Sequence, residues 1–254
     1  MKLFALPTAL ALTAALPSLV TAGLFPSKGK VKMLNEPDFR KVLKQEKTSI
    51  VAFTAPWCGH CKNLAPEYIR AAESMSPLVA FYAVDCDDEA NKRLCGEQGI
   101  QGFPTIKSFP RGGKGAAHTY NDERKAKKLA QWAESEIPLR VTSLKGKEAA
   151  EKWVEKERNL PRALLLTAQS RVPPLWKTLG NEFNKKIAFG AARDESGEIS
   201  ESFGVESGAS DGKGKILIWK AGREDMVVYD GKLNYKALVE HFGDLVSGKP
   251  KDEL

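Results

Sequence analysis

The stretch Trp57-Cys58-Gly59-His60-Cys61 sets two thiols close together with an imidazole between them. Such residues can form half of a metal site, close an inert bridge, or cycle between dithiol and disulfide. Zinc would normally need a second matching pair or nearby histidines. The other cysteines, Cys86 and Cys95, are nine apart, and His118 and His241 stand alone, so a metal set is poorly supported. Local setting separates the remaining two readings. The run 48–55, TSIVAFTA, is continuously apolar and closed by Pro56, which predicts a buried strand. A helical pattern runs from the cysteines to about Met75, and Pro66 inside it should bend the helix. Cys58 then falls at a helix N-terminus, where unpaired backbone N–H groups and a partial positive charge favour a thiolate. A protonated His60 would add to that. This setting favours a cycling pair over an inert bridge, with Cys58 as nucleophile and Cys61, one turn on and more buried, as the resolving thiol. Stabilising the thiolate stabilises the reduced form, so the Cys58–Cys61 disulfide would be a good oxidant.

The elements around the pair alternate between strand and helix. LVAFYAVDC reads as a second buried strand, EANKRLCGEQG as a short helix, and FPTIKSF as a third strand. RGGKG is a turn with AHTYN as its hairpin partner, and DERKAKKLAQWAESEI an amphipathic helix ended by Pro138. The second half repeats the order. KGKEAAEKWVEKE, PLWKTLGNEF, ESGEISESFG and NYKALVEHFGDL are helical, while RALLLTA, KKIAFGAA and the hairpin KILIWKAG–REDMVVYDG are strands. One plan used twice implies two α/β units, 28–138 and 141–246, with sheets covered by helices.

Residues 1–22 have the layout of a secretory signal peptide: Lys2, an apolar run to about Leu16, and small residues at Val20 and Ala22. The run is short for a bilayer span, and no later segment is apolar enough to cross a membrane. The tail 247–254 ends in Lys251, Asp252, Glu253 and Leu254, an address for retention in the endoplasmic reticulum. That lumen lets disulfides persist, so a structural bridge is the first reading of Cys86 and Cys95, with free buried thiols or a second redox pair as alternatives. A net charge of +7 is spread along the chain, and its densest basic stretch, 123–132, reads as a solvated helix face. No nucleic-acid partner, nucleotide, metal or bound organic cofactor is expected.

FTAPWCGHCKNLAPEY followed by GFPTIKSF resembles the protein disulfide isomerase family of the thioredoxin superfamily. The likeness is dense from about Ser49 to Trp132 and one of pattern beyond. The layout of one such unit, one unit without cysteine and KDEL is similar to small fungal isomerase-like proteins. The resemblance implies two tandem thioredoxin-like domains, the first redox-active and the second redox-inactive. It implies thiol–disulfide exchange on unfolded or misfolded secretory proteins in the endoplasmic reticulum lumen. Glutathione or a thiol oxidase would serve as redox partner, and a KDEL-type receptor would retrieve the chain.

The resemblance further implies that Pro104 is a cis-proline facing the cysteines, with Trp57, Phe103 and Thr105 beside it where substrate docks. From the sequence alone Pro104 could equally be a trans proline beginning a strand. Arg124, eight before Trp132, matches an arginine that modulates the second cysteine, and is otherwise a surface helix charge. The chain also departs from the pattern. The family's buried glutamate, six residues before the first cysteine, is Ala52 here, and its lysine partner is Ala83. Losing both avoids an unpaired buried charge but removes the expected proton acceptor for Cys61. Residues 141–246 hold no cysteine. Trp176, Phe183, Phe203 and Trp219 there could line an apolar patch or fill the core.

Overall fold

The computed structural model describes residues 24–45, 47–206 and 214–248. The expected signal peptide and the tail tetrapeptide lie outside them. The first unit runs β1 (Val31–Met33), α1 (Glu36–Lys44), β2 (Ser49–Thr54), α2 (Gly59–Met75) and β3 (Ala80–Asp85). A 3-10 turn (Glu89–Asn91), α3 (Lys92–Glu97), β4 (Thr105–Gly113), β5 (His118–Thr119) and α4 (Ala126–Ser135) complete it. The second runs β6 (Thr142–Leu144), α5 (Lys147–Lys156), β7 (Arg162–Thr167), α6 (Pro174–Glu182), β8 (Ala188–Arg193), α7 (Glu198–Ser202), β9 (Lys215–Trp219), β10 (Met226–Val228) and α8 (Tyr235–Ser247).

The sheets share one topology. The strand order is β1-β3-β2-β4-β5 in the first and β6-β8-β7-β9-β10 in the second. In each, three strands are parallel and two antiparallel strands follow. The central strands carry apolar residues at all four inner positions, 50–53 in β2 and 163–166 in β7, because both faces are covered. Ile50 and Ala52 join one core cluster, while Val51 and Phe53 join the opposite one. In β7, Ala163 and Leu165 face one cluster and Leu164 and Leu166 the other. This period of two explains an unbroken apolar run that also sits in helix-covered sheets.

Two strands, β1 and β6, are too short to stand out by periodicity. β1 is three residues with one buried, held by parallel pairing of Val31–Met33 with Phe81–Ala83, and β6 is similarly short. α1 carries start signals in its sequence: Asn35 accepts from the Asp38 N–H at 2.9 Å, and Pro37 stands in the first turn. Two expected boundaries also move. β4 runs on through Arg111-Gly112-Gly113, part of the expected turn, and Gly112 has φ +56°. A Cβ at Gly112 would lie 2.3 Å from the Leu43 carbonyl oxygen and 2.4 Å from that of Gln45, so the strand can pass the end of α1 only with glycine there.

The expected helix over 122–137 begins only at Ala126. Lys125 makes no side-chain cap, and the Glu67 carboxylate of α2 accepts the Ala126 N–H at 2.8 Å instead. Arg124 therefore lies on the segment before α4, not on a helix face. Pro66 sits within α2 without ending it. Trp176, Phe183 and Trp219 are buried and Phe203 is partly buried, so these aromatics fill the second unit's core.

Candidate active site

β2, the central strand, delivers the chain to Ala55 just past its C-terminal end, and a tight turn brings Cys58 to the start of α2. The Cys58 N–H bonds the Ala55 carbonyl at 3.1 Å, and the Cys58 carbonyl accepts from Cys61 and Lys62, each at 3.1 Å. Cys58 is the N-cap, with φ −75° and ψ 116°, and no acidic residue stands in the first turn of α2 to offset the helix field. Cys58 is 8% exposed and Cys61 is fully buried; both are unbridged thiols in this structure.

The two thiols are driven apart. Burial pushes Cys58 up, but the hydrogen bond from the Cys61 side chain, the backbone N–H groups of Cys61 and His60, and the Arg124 guanidinium outweigh it. The thiol therefore ionises below the ordinary cysteine range. Burial pushes Cys61 up to about 12; its hydrogen bond with Cys58 and the charge there add to this, while a backbone bond at Ala55 and Arg124 offset only part. The arrangement gives one ready nucleophile and one reserve thiol that keeps its proton. His60 is exposed and acts on Cys58 through its backbone N–H.

The residues expected around the pair converge on it. The Phe103–Pro104 peptide is cis, and the Cys58 thiol lies 3.6 Å from the Phe103 carbonyl oxygen. Arg124 donates through Nη2 to the Pro104 carbonyl at 3.2 Å, which ties the segment before α4 to the cysteines. The Thr105 hydroxyl closes the loop by donating to the Gly102 carbonyl at 2.7 Å. Trp57 is 65% exposed and meets Phe103 edge-on with ring centroids 6.0 Å apart, an apolar platform beside Cys58. Gly59 has open space where a Cβ would stand. Ala52 and Ala83 are fully buried and directly paired across β2 and β3, so the two departures from the family pattern share one place.

Cys86 and Cys95 form a disulfide in the structure, with Cα atoms 5.9 Å apart, joining the end of β3 to α3. They belong to the core cluster on the other face of the sheet from Ala52. One neighbour of the dithiol was missed: Leu24 packs against the cluster of Ala55, Cys58 and Cys61. No pattern in the flanking residues marks it, because only the tertiary path of the chain brings it there. In the second unit the segment between β7 and α6 is Ala168–Pro173, where the first unit carries its cysteine turn. Among the described residues no helix is long and apolar enough to cross a membrane.

The thioredoxin family model matches residues 30–135. A mitochondrial thioredoxin domain-containing protein of Schizosaccharomyces pombe is 31% identical over 245 residues, covering 94% of this chain and 67% of that protein. A putative protein disulfide-isomerase of Dictyostelium discoideum is 31% identical over 223 residues, 86% of this chain and 53% of that one. The protein disulfide-isomerase tigA of Aspergillus niger is 48% identical over 85 residues, 33% of this chain and 24% of its own. The chain thus spans about half or less of the isomerase-named relatives. Among solved structures, ERdj5 form I superposes with a TM-score of 0.50 at 18% identity, over 87% of this chain and 30% of that one, a likeness of fold alone. By the thioredoxin match and the extent of the Schizosaccharomyces pombe relative, the chain belongs to the thioredoxin superfamily, and within it the chain is similar to protein disulfide-isomerases.

Proposed function

We propose that the chain is a thiol–disulfide oxidoreductase and isomerase acting on proteins in the endoplasmic reticulum lumen. The observation that carries the reading is the split pair, Cys58 lowered at the head of α2 and Cys61 buried and raised behind it. The Cys58 thiolate attacks one sulfur of a client disulfide. That S–S bond breaks, the other client sulfur leaves as a thiolate, and a mixed disulfide joins Cys58 to the client. If a second client thiolate then attacks the client sulfur, the client is rearranged and Cys58 is released with no net electron transfer. If Cys61 gives up its proton and attacks the Cys58 sulfur, the client leaves reduced and a Cys58–Cys61 disulfide forms. The reverse sequence oxidises a client dithiol, and glutathione disulfide or a thiol oxidase restores the oxidant. Trp57, Phe103, Pro104 and Thr105 hold an extended client strand beside Cys58. The second unit, without cysteine, takes no part in exchange.

The apolar run after Lys2 and the residues Lys251–Leu254 support the compartment, with retrieval by a KDEL-type receptor. Imaging a tagged chain with and without residues 251–254 tests that assignment. Activity is tested by reactivation of a protein with scrambled disulfides in a glutathione buffer. The unaltered chain reactivates it, Cys58→Ala does not, and Cys61→Ala accumulates mixed disulfides with the client. Equal reactivation by Cys58→Ala would refute the proposal. A second reading, a client-binding chaperone or adaptor with weak isomerase activity, draws on Ala52 and Ala83, which leave Cys61 no carboxylate to take its proton. Support of client folding that survives Cys58→Ala with Cys61→Ala would favour that reading.

A further inference from the structure

We propose that Leu24 is a positioning residue for the resolving step: its side chain covers the Cys61 thiol and limits the water that must carry that thiol's proton away. The inference rests on the dithiol reading of Cys58 and Cys61 given above. Leu24 is half-buried and packs against two clusters at once. One holds Ala55, Cys58 and Cys61; the other is the core cluster of Ala52, Ala83, Leu64 and Tyr68. Among the described residues it is the one partly buried apolar side chain that bridges both.

Its place is anchored by its neighbours. Phe25 is buried with its ring on Tyr68 at 5.8 Å, and the Gly29 N–H closes a turn onto the Pro26 carbonyl at 3.1 Å before β1 begins. Phe25 thus pins the backbone beside the dithiol and leaves Leu24 as the cover.

The charged and titratable groups acting on Cys61 are few. Cys58 lies on its own helix and Arg124 on the segment before α4, while Ala55 offers only a backbone group. β2 and β3 present Ala52 and Ala83, which carry no charge. With no carboxylate at either of those two positions, the proton passes to solvent, and the side chain that meters solvent meters the step. Burial is also the largest influence holding the proton on Cys61.

The reaction to follow has two steps. The Cys58 thiolate attacks oxidised glutathione, giving a Cys58–glutathione disulfide and one glutathione thiolate. Cys61 then loses its proton to water and attacks the Cys58 sulfur, forming the internal disulfide and releasing the second glutathione thiolate. Acid quenching and mass spectrometry count the dithiol, the adduct and the internal disulfide in the purified chain and in its Leu24→Ala and Leu24→Met variants. Tenfold more Cys61 thiolate, with nucleophilicity falling by a factor of about three, speeds the second step about threefold at neutral pH.

The expected result is an acceleration of about threefold or more for Leu24→Ala relative to its own first step, with the second step's pH profile displaced to lower pH. Leu24→Met keeps the cover and matches the unaltered chain. Because the first step proceeds in the same molecules, it serves as the control for folding. A second step unchanged or slowed in Leu24→Ala, or Leu24→Met behaving like Leu24→Ala, would overturn the inference. Failure of the unaltered chain to form either the adduct or the internal disulfide would instead overturn the dithiol reading, and this inference with it.

Discussion

Ala52 and Ala83 form a matched pair, and restoring charge to one alone should be costly. Both are fully buried and stand opposite each other on parallel strands, in the core cluster with Leu64, Tyr68 and Ile106. Ala52→Glu would bury a carboxylate with no cation to meet it, and the longer side chain would overpack the space. A buried charge without its partner costs about 3–5 kcal/mol. A domain of this size loses about 4 °C or more in Tm per kcal/mol, so the variant's transition should fall by roughly 12 °C or more. Adding Ala83→Lys supplies the partner and should show a favourable coupling energy of about 1–3 kcal/mol in the double-mutant cycle. The introduced carboxyl would have its folded-state pKa raised by burial above its unfolded value of about 4.3. The folded state then binds more protons than the unfolded one between those values, so the defect grows as pH rises and shrinks as pH falls toward 5. Thermal melts by circular dichroism at pH 5 and pH 8, on all four chains of the cycle, read each of these outcomes. A single variant melting within about 2 °C of the unaltered chain at both pH values, with no rescue by Ala83→Lys, would refute the paired-loss argument.

Other consequences can be checked together. Arg124→Ala removes a positive charge that lowers both thiols, together with the bond to the Pro104 carbonyl. The pH at which Cys58 becomes reactive to iodoacetamide should move upward, and exchange at neutral pH should slow several-fold. Reducing the Cys86–Cys95 link, or replacing both residues by serine, opens a nine-residue loop and should cost about 2–3 kcal/mol in the chain-entropy model, read by urea unfolding. Asp194 is buried and accepts from the backbone N–H groups of Ile199 at 2.9 Å and Ser200 at 3.0 Å. Asp194→Ala strands those donors and should destabilise the second unit by about 1–3 kcal/mol in the same assay, leaving Cys58 alkylation unaltered.

The parts of this molecule that could be read in advance are those where local chemistry and tertiary role coincide. TSIVAFTA reads as a buried strand because both its faces meet helices, and that same burial sets Cys58 at the rim of the sheet. The cysteine spacing sets the thiols about one turn apart, and the helix start right after the strand puts the first at the helix end and the second inside it. What escaped depends on distant partners. β1 is a strand because β3 pairs with it, since its three residues show no pattern of their own. Asp122–Lys125 looks helical by composition, yet α4 starts at Ala126 because a carboxylate from α2 caps it there. Arg124 thereby reaches Pro104 from a loop. α1 is a different case, since Asn35 and Pro37 announce its start locally. Leu24 could not have been found locally, because its neighbours in sequence say nothing of the thiols it meets.

The central claim is the division of labour between the two thiols, and site-resolved alkylation tests it most directly. The reduced chain is exposed briefly to iodoacetamide from pH 5 to pH 9, quenched, and mapped by mass spectrometry at each cysteine. The account predicts that Cys58 alone is modified across this range, with an inflection below that of an ordinary thiol, while Cys61 stays unreacted until the fold is opened. Equal modification of both, or a Cys58 inflection at or above the ordinary cysteine value, would contradict it.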